Sequence, residues 1–224
     1  MSERTPVTAI VDYGMGNLRS VAKAIEHLGG RPLVTSDPAD LGRADRVIFP
    51  GVGAFGDCLL ALEERGLRDA LLQAARSKPF LGICLGMQVL MESSEEHGLH
   101  QGLGLLPGRV LAFPKEALVD PQGRALKIPH MGWNEVHQLA PHPLWSSIPQ
   151  DARFYFVHSY YVEPADPELL AAFTPYAFPF ASVVAHENIF AVQFHPEKSQ
   201  RAGLTLLGNF LNWNGETTGG SCGQ

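Results

Sequence analysis

Gly82-Ile83-Cys84-Leu85-Gly86 is a G-x-C-x-G, with cysteine where elbow-type hydrolases carry serine. Sulfur at such a strand-to-helix turn is presented as a nucleophile for a carbonyl carbon. A turn this tight needs glycine on both flanks, because a Cβ there would strike the packed backbone. It also sets Cys84 at a helix N-terminus, where the partial positive charge suits an anionic sulfur. A lone cysteine reads as a buried structural thiol. The flanking glycines turn this one into a candidate nucleophile.

A nucleophilic thiol needs a base, and nine histidines compete for the role. His195 closes the apolar run Phe190-Ala191-Val192-Gln193-Phe194 and is followed by Pro196-Glu197. A buried strand ending there delivers the imidazole to its carboxyl edge, where open α/β sheets bind ligands. Pro196 fixes the chain direction, so Glu197 can turn back to the far ring nitrogen, the third role in a triad. The expected catalytic set is Cys84, His195 and Glu197. His97 and His100 fall in a polar loop, and His137, His142 and His186 beside turns, so all five are expected at the surface. His130 and His158 lie among aromatics and glycine at strand ends, and for both a pocket wall and a partner surface stay open.

Acyl chemistry at Cys84 also needs donors for an oxyanion. The Leu85 amide, next in the elbow, is one. Pro50-Gly51-Val52-Gly53-Ala54-Phe55 is a second glycine-rich loop at a strand's carboxyl end, and the Val52 or Gly53 amide is the other.

These residues require a βα frame to position them. Residues 7–11, 32–35, 46–49 and 80–83 read as short buried strands. Leu18, Val21, Ile25 and Leu28 share a helix face, with Asn17 as its N-cap and Gly29-Gly30 as its stop. Asp57 reads as the cap of a helix over 58–65, and Leu85, Met87, Val89 and Leu90 open a helix after the elbow. The G-x-G of residues 12–17 lacks the acidic second-strand residue of a dinucleotide fingerprint, so no cofactor is expected. After Glu92 comes a polar loop over 93–104, and residues 120–124 resemble a hairpin turn. Strands then accumulate at 108–113, 133–137, 153–157, 181–185 and 188–194, before a closing helix over 200–213. The expected fold class is α/β: an open, mostly parallel sheet flanked by helices, with an additional antiparallel strand region in the C-terminal half. One domain is expected over residues 1–214, followed by a polar tail over 215–224 expected to be disordered.

Composition bounds the function. Hydrophobic content of 45% and charged content of 18% fit a globular protein of 224 residues. A net charge of −6 argues against nucleic-acid binding. No apolar run reaches the roughly 18 residues of a membrane helix, and the opening MSERTPV lacks a signal-peptide core, so a cytoplasmic location is expected. Cys58, Cys84 and Cys222 have no framework spacing, so neither a disulfide scaffold nor a metal site is expected.

Residues 82–88 together with His195-Pro196-Glu197 resemble the triad glutamine amidotransferases, whose cysteine takes the side-chain amide of glutamine and releases ammonia. Tyr13-Gly14-Met15-Gly16-Asn17, residues 129–134 (PHMGWN) and the Lys198-Ser199 after His-Pro-Glu are similar, within that family, to the glutaminase subunits of imidazole glycerol phosphate synthase. The resemblance implies oxyanion donors from Val52, Gly53 and Leu85, and glutamine contacts from Gly51, Gln88, Glu96, His158, Ser159 and Tyr160, with Glu95 as the alternative to Glu96. It also implies a partner, a (β/α)8 cyclase subunit, held in a heterodimer through Asn17, Met131, Trp133 and Lys198. For Trp133, ordinary core is an equal reading. A cysteine-elbow peptidase, a non-catalytic binding module and an amidotransferase serving another synthase are the competing readings.

Overall fold

The computed structural model describes residues 5–119 and 123–217. The chain opens as β1 (Val7–Val11), α1 (Leu18–His27), β2 (Arg31–Thr35), α2 (Pro38–Arg43), β3 (Arg46–Gly51), α3 (Phe55–Glu64), α4 (Arg68–Ala75), β4 (Phe80–Cys84) and the single turn α5 (Leu85–Gln88). It continues as β5 (Ser93–Ser94), β6 (His100–Gln101), β7 (Gly108–Ala112), β8 (His130–Glu135), β9 (His137–Gln138), β10 (Arg153–His158) and β11 (Tyr160–Pro164). β12 (Leu170–Pro175), β13 (Pro179–His186), β14 (Ile189–Val192) and α6 (Gln200–Asn212) complete it.

β3 and β4 are buried along their whole length, which explains why they read as unbroken apolar runs. Successive residues serve opposite cores. Ala9, Val11, Val47 and Phe49 pack with α2, α3 and α4 on one face. Ile10, Ile48, Leu81 and Ile83 pack with α1 and α6 on the other. The parallel half of the sheet has the order β2-β1-β3-β4-β14. β14 returns late in the chain to lie beside β4, with Val192 opposite Ile83, and so sets the His195 segment next to the elbow. From β14 the sheet runs on through antiparallel β13, β11 and β7. β8 and β10 form a separate antiparallel ribbon in which Met131 pairs with Val157 and His130 with His158. This is the expected α/β class.

Several local expectations are corrected. The segment after Cys84 makes one helical turn, not a full helix, because every residue from Leu85 to Met91 is buried and the chain must leave to form β5. Asp57 does not cap α3, which starts earlier, at Phe55. The Phe55 N–H instead donates to the Glu96 carboxylate at 2.7 Å, a cap brought from 41 residues away. Asn17 is the N-cap of α1, but its side chain accepts from Ser20 Oγ rather than from an orphan backbone N–H. His142 is buried, not at the surface, with its ring tilted against Phe190 and edge-on to Trp213. β11 and β12 were not foreseen: Ala171 and Ala172 have weak strand preference, and pairing with β13 overrides it. Part of the turn expected at 120–124, and of the tail with Cys222, lies outside the described residues.

Candidate active site

Cys84 is the last residue of β4 and the N-cap of α5, at φ 56° and ψ −111°. A non-glycine residue at positive φ persists only where its surroundings enforce it. Here they do. A Cβ on Gly86 would lie 1.9 Å from the Phe49 carbonyl oxygen, and one on Gly82 would lie 3.0 Å from the Gly86 oxygen. The glycines therefore let β3 and the elbow close on each other, as the motif implied.

His195 follows β14, and its N–H donates to the Tyr155 carbonyl at 2.9 Å. Ser199 Oγ donates to the His195 carbonyl at 2.6 Å and accepts from the Tyr155 N–H at 3.0 Å, latching this segment to β10. His195 Nδ1 donates to Glu197 Oε1 at 2.9 Å, and the two side chains are only 3% and 1% exposed. That bond fixes the tautomer and leaves Nε2 as the basic nitrogen. Nε2 is buried and couples electrostatically to the Cys84 sulfur without a well-formed hydrogen bond to it. Burial works against an imidazolium here, but the attractions of Cys84 and Glu197 outweigh it and push His195 up to about 10.

These groups open on a cavity of about 330 Å³. Val52, Gly53, Leu85, Gln88, Glu96, His158, Ser159, Tyr160 and Lys198 all line it with Cys84 and His195. Glu96 lines it, whereas Glu95 does not and is exposed. Gly51 does not reach the cavity either. It lies beneath the elbow, where a Cβ would meet Leu85 Cβ at 2.7 Å and Gly86 N at 2.9 Å. Leu85 opens α5, so its N–H has no carbonyl one turn behind it. The Val52 N–H lies near the buried Tyr13 hydroxyl without a well-formed bond to it. Asn17, Met131 and Trp133 lie outside the cavity. Met131 is 61% and Trp133 38% exposed, so Trp133 is not core.

One residue that pattern reading passed over stands at the centre. Gln193 is fully buried, with Nε2 donating to the Cys84 sulfur at 3.7 Å and Oε1 accepting from Gln88 Nε2 at 3.0 Å. Its signal was available: a polar side chain in an apolar strand, two residues before His195, requires a buried partner. His158 also belongs to the wall, not to the surface. Its Nδ1 donates to the Tyr160 carbonyl at 2.7 Å, so its Nε2 accepts from His130 Nδ1 at 2.9 Å. Burial lowers His158 to about 3 and His130 to about 4, so both are neutral at pH 7. Among the described residues no cluster could hold a metal ion, and no helix is long and apolar enough to cross a membrane.

The sequence family described as class-I glutamine amidotransferase matches residues 9–213. The chain belongs to that family. It is 64% identical over 208 residues to the imidazole glycerol phosphate synthase subunit HisH of Thiobacillus denitrificans, covering 92% of this chain and 91% of that one. It is 61% identical over 207 residues to the subunit of the same name from Aromatoleum aromaticum, covering 92% and 97%. In fold it is similar to PurLQS from Thermotoga maritima, with a TM-score of 0.70, 21% identity and 93% and 99% coverage. A putative GMP synthase protein from Thermoplasma acidophilum gives a TM-score of 0.68, 20% identity and 94% coverage of each chain.

Proposed function

We infer that this chain is the glutaminase subunit of an imidazole glycerol phosphate synthase, acting in histidine biosynthesis. The observation that carries the chemistry is the meeting of two distant segments at one cavity: the elbow brings the sulfur, and residues 195–197 bring the His195 ring with the Glu197 carboxylate behind it.

His195 Nε2 holds the proton drawn from the Cys84 thiol, and the Cys84 sulfur attacks the carboxamide carbon of glutamine. Glu197 holds the ring and stabilises the imidazolium. The tetrahedral oxyanion is held by amides of Leu85 and of the Val52–Gly53 loop, each such donor worth about 3 kcal/mol. His195 returns its proton to the leaving nitrogen, ammonia departs and a thioester remains. Water, deprotonated by His195, then releases glutamate. Gln88, Glu96, His158, Ser159 and Tyr160 surround the amino-acid end of the substrate. Gly51 acts beneath the elbow by admitting the loop.

The partner is a (β/α)8 cyclase subunit that receives the ammonia, and the reaction takes place in the cytoplasm. Lys198 at the cavity rim, Asn17, and the exposed Met131 and Trp133 form the docking face. The test is glutamate release from glutamine by the full chain, alone and with the cyclase subunit. Cys84→Ala is expected to abolish turnover in both. Retained turnover would overturn the assignment.

A further inference from the structure

The reading of Cys84 as nucleophile leaves open what faces its sulfur besides His195. Two groups do. The thiol donates to the Val157 carbonyl at 3.9 Å, and Gln193 Nε2 donates to the sulfur at 3.7 Å. A carbonyl oxygen favours the thiol and repels its anion, whereas an amide N–H favours the anion. The sulfur thus sits between an acceptor suited to the thiol and a donor suited to its anion.

The orientation of the Gln193 amide is fixed by its neighbours. Gln88 Nε2 contacts two acceptors, the Tyr160 carbonyl at 3.2 Å and Gln193 Oε1 at 3.0 Å, so it must be the NH2 end of that side chain. Gln193 Oε1 is therefore committed to Gln88, and its NH2 end is turned to the sulfur. Gln193 is fully buried, so no water competes for that N–H. Its backbone is held as well, with the N–H donating to the Ser182 carbonyl at 2.9 Å.

We propose that Gln193 is a positioning residue for the nucleophile, donating from Nε2 to the thiolate formed when His195 takes the proton of Cys84. The step is a proton transfer alone. The S–H bond breaks, its electron pair stays on sulfur, and the proton goes to His195 Nε2. The proposal rests on the assignment of Cys84 as the glutaminase nucleophile.

Two variants of the full chain separate this role from a structural one. Gln193→Glu keeps an acceptor for Gln88 and replaces the donor at the sulfur by a carboxylate. Gln193→Met has similar length and neither donor nor charge. The rate of iodoacetamide alkylation at Cys84, read by peptide mass, should fall about tenfold at pH 7 in both, as loss of a charge-assisted hydrogen bond predicts. In Gln193→Glu, kcat for glutamine should fall about as much with KM changed less than about twofold. Unchanged alkylation in either folded variant overturns the proposal. An unchanged kcat for Gln193→Glu does so too, since Gln193 would then act only by holding Gln88, which the glutamate still does. If alkylation of Cys84 in the unaltered chain leaves glutamine hydrolysis intact, the assignment of the nucleophile fails instead.

Discussion

Gly51 and Cys84 are register partners at the carboxyl ends of neighbouring strands β3 and β4. The Val52–Gly53 loop and Cys84 therefore leave the sheet side by side, and the glycines between them set the spacing. Gly86→Ala forces a Cβ to within 1.9 Å of the Phe49 oxygen, a backbone atom that cannot step aside. The expected result is a loss of several kcal/mol of stability together with activity. Gly42→Ala, where nothing lies within 4 Å, is the control and should be neutral or stabilising. Urea unfolding of the two variants checks the contrast.

Cys84 at φ 56° reverses the usual order of small residues. Alanine shares the strain of cysteine there, while glycine does not. Cys84→Gly should therefore be more stable than Cys84→Ala by on the order of 1 kcal/mol, although both are inactive. Equal stabilities in urea unfolding would show that the backbone at this position is unstrained.

For His195, the folded value of about 10 lies above the unfolded value near 6.5. Its stabilising share is complete below pH 6.5 and is lost as pH rises through about 10. Cys84→Ala removes the leading attraction and leaves burial less opposed, so the titration of His195 should move down. NMR titration of the ring measures this, and an unmoved value would mean that sulfur and imidazole do not interact.

His130 and His158 work in the opposite direction. Burial depresses both, to about 4 and about 3, so their contribution is present above pH 6.5 and is lost as pH falls towards those values. As upper figures, the acid sensitivity is about 3 kcal/mol for His130 and about 5 kcal/mol for His158. Unfolding free energy measured from pH 7 down to pH 4 should fall steeply, and a His130→Gln, His158→Gln double variant should flatten the curve.

Met131 is 61% exposed, so alanine there should change stability by no more than about 0.5 kcal/mol, whereas Trp133→Ala also loses its packing on Tyr155. Calorimetric titration with the cyclase subunit should nonetheless show weaker association. A stability loss with unchanged association would return Trp133 to an ordinary packing role.

What was legible in the sequence follows physical range. The strands of the parallel half are short apolar runs, and the glycines of the elbow carry their reason locally. Hence β3, β4, β14 and the Cys84–His195–Glu197 convergence could be read from spacing. Contacts between distant segments could not. Asp57 looked like a cap because a cap is sought next to its helix, yet Glu96 fills the role from another loop. Gly51 reads as a pocket residue from its neighbours, while the need for its missing Cβ at the strand–elbow approach shows only in three dimensions. Gln193 carried a visible sign, polarity in a buried strand, whose meaning depends on Gln88 and Cys84 across the sheet.

The β8–β10 ribbon has two sides with different audiences. Met131, open to solvent, is paired across it with Val157, whose carbonyl touches the sulfur. A molecule gripping the outside of that ribbon would handle the Cys84 sulfur at one remove, with a single cross-strand pair as the lever. Communication from the docking face to the chemistry would then be a matter of leaning on one peptide group, and its range would be the width of two strands.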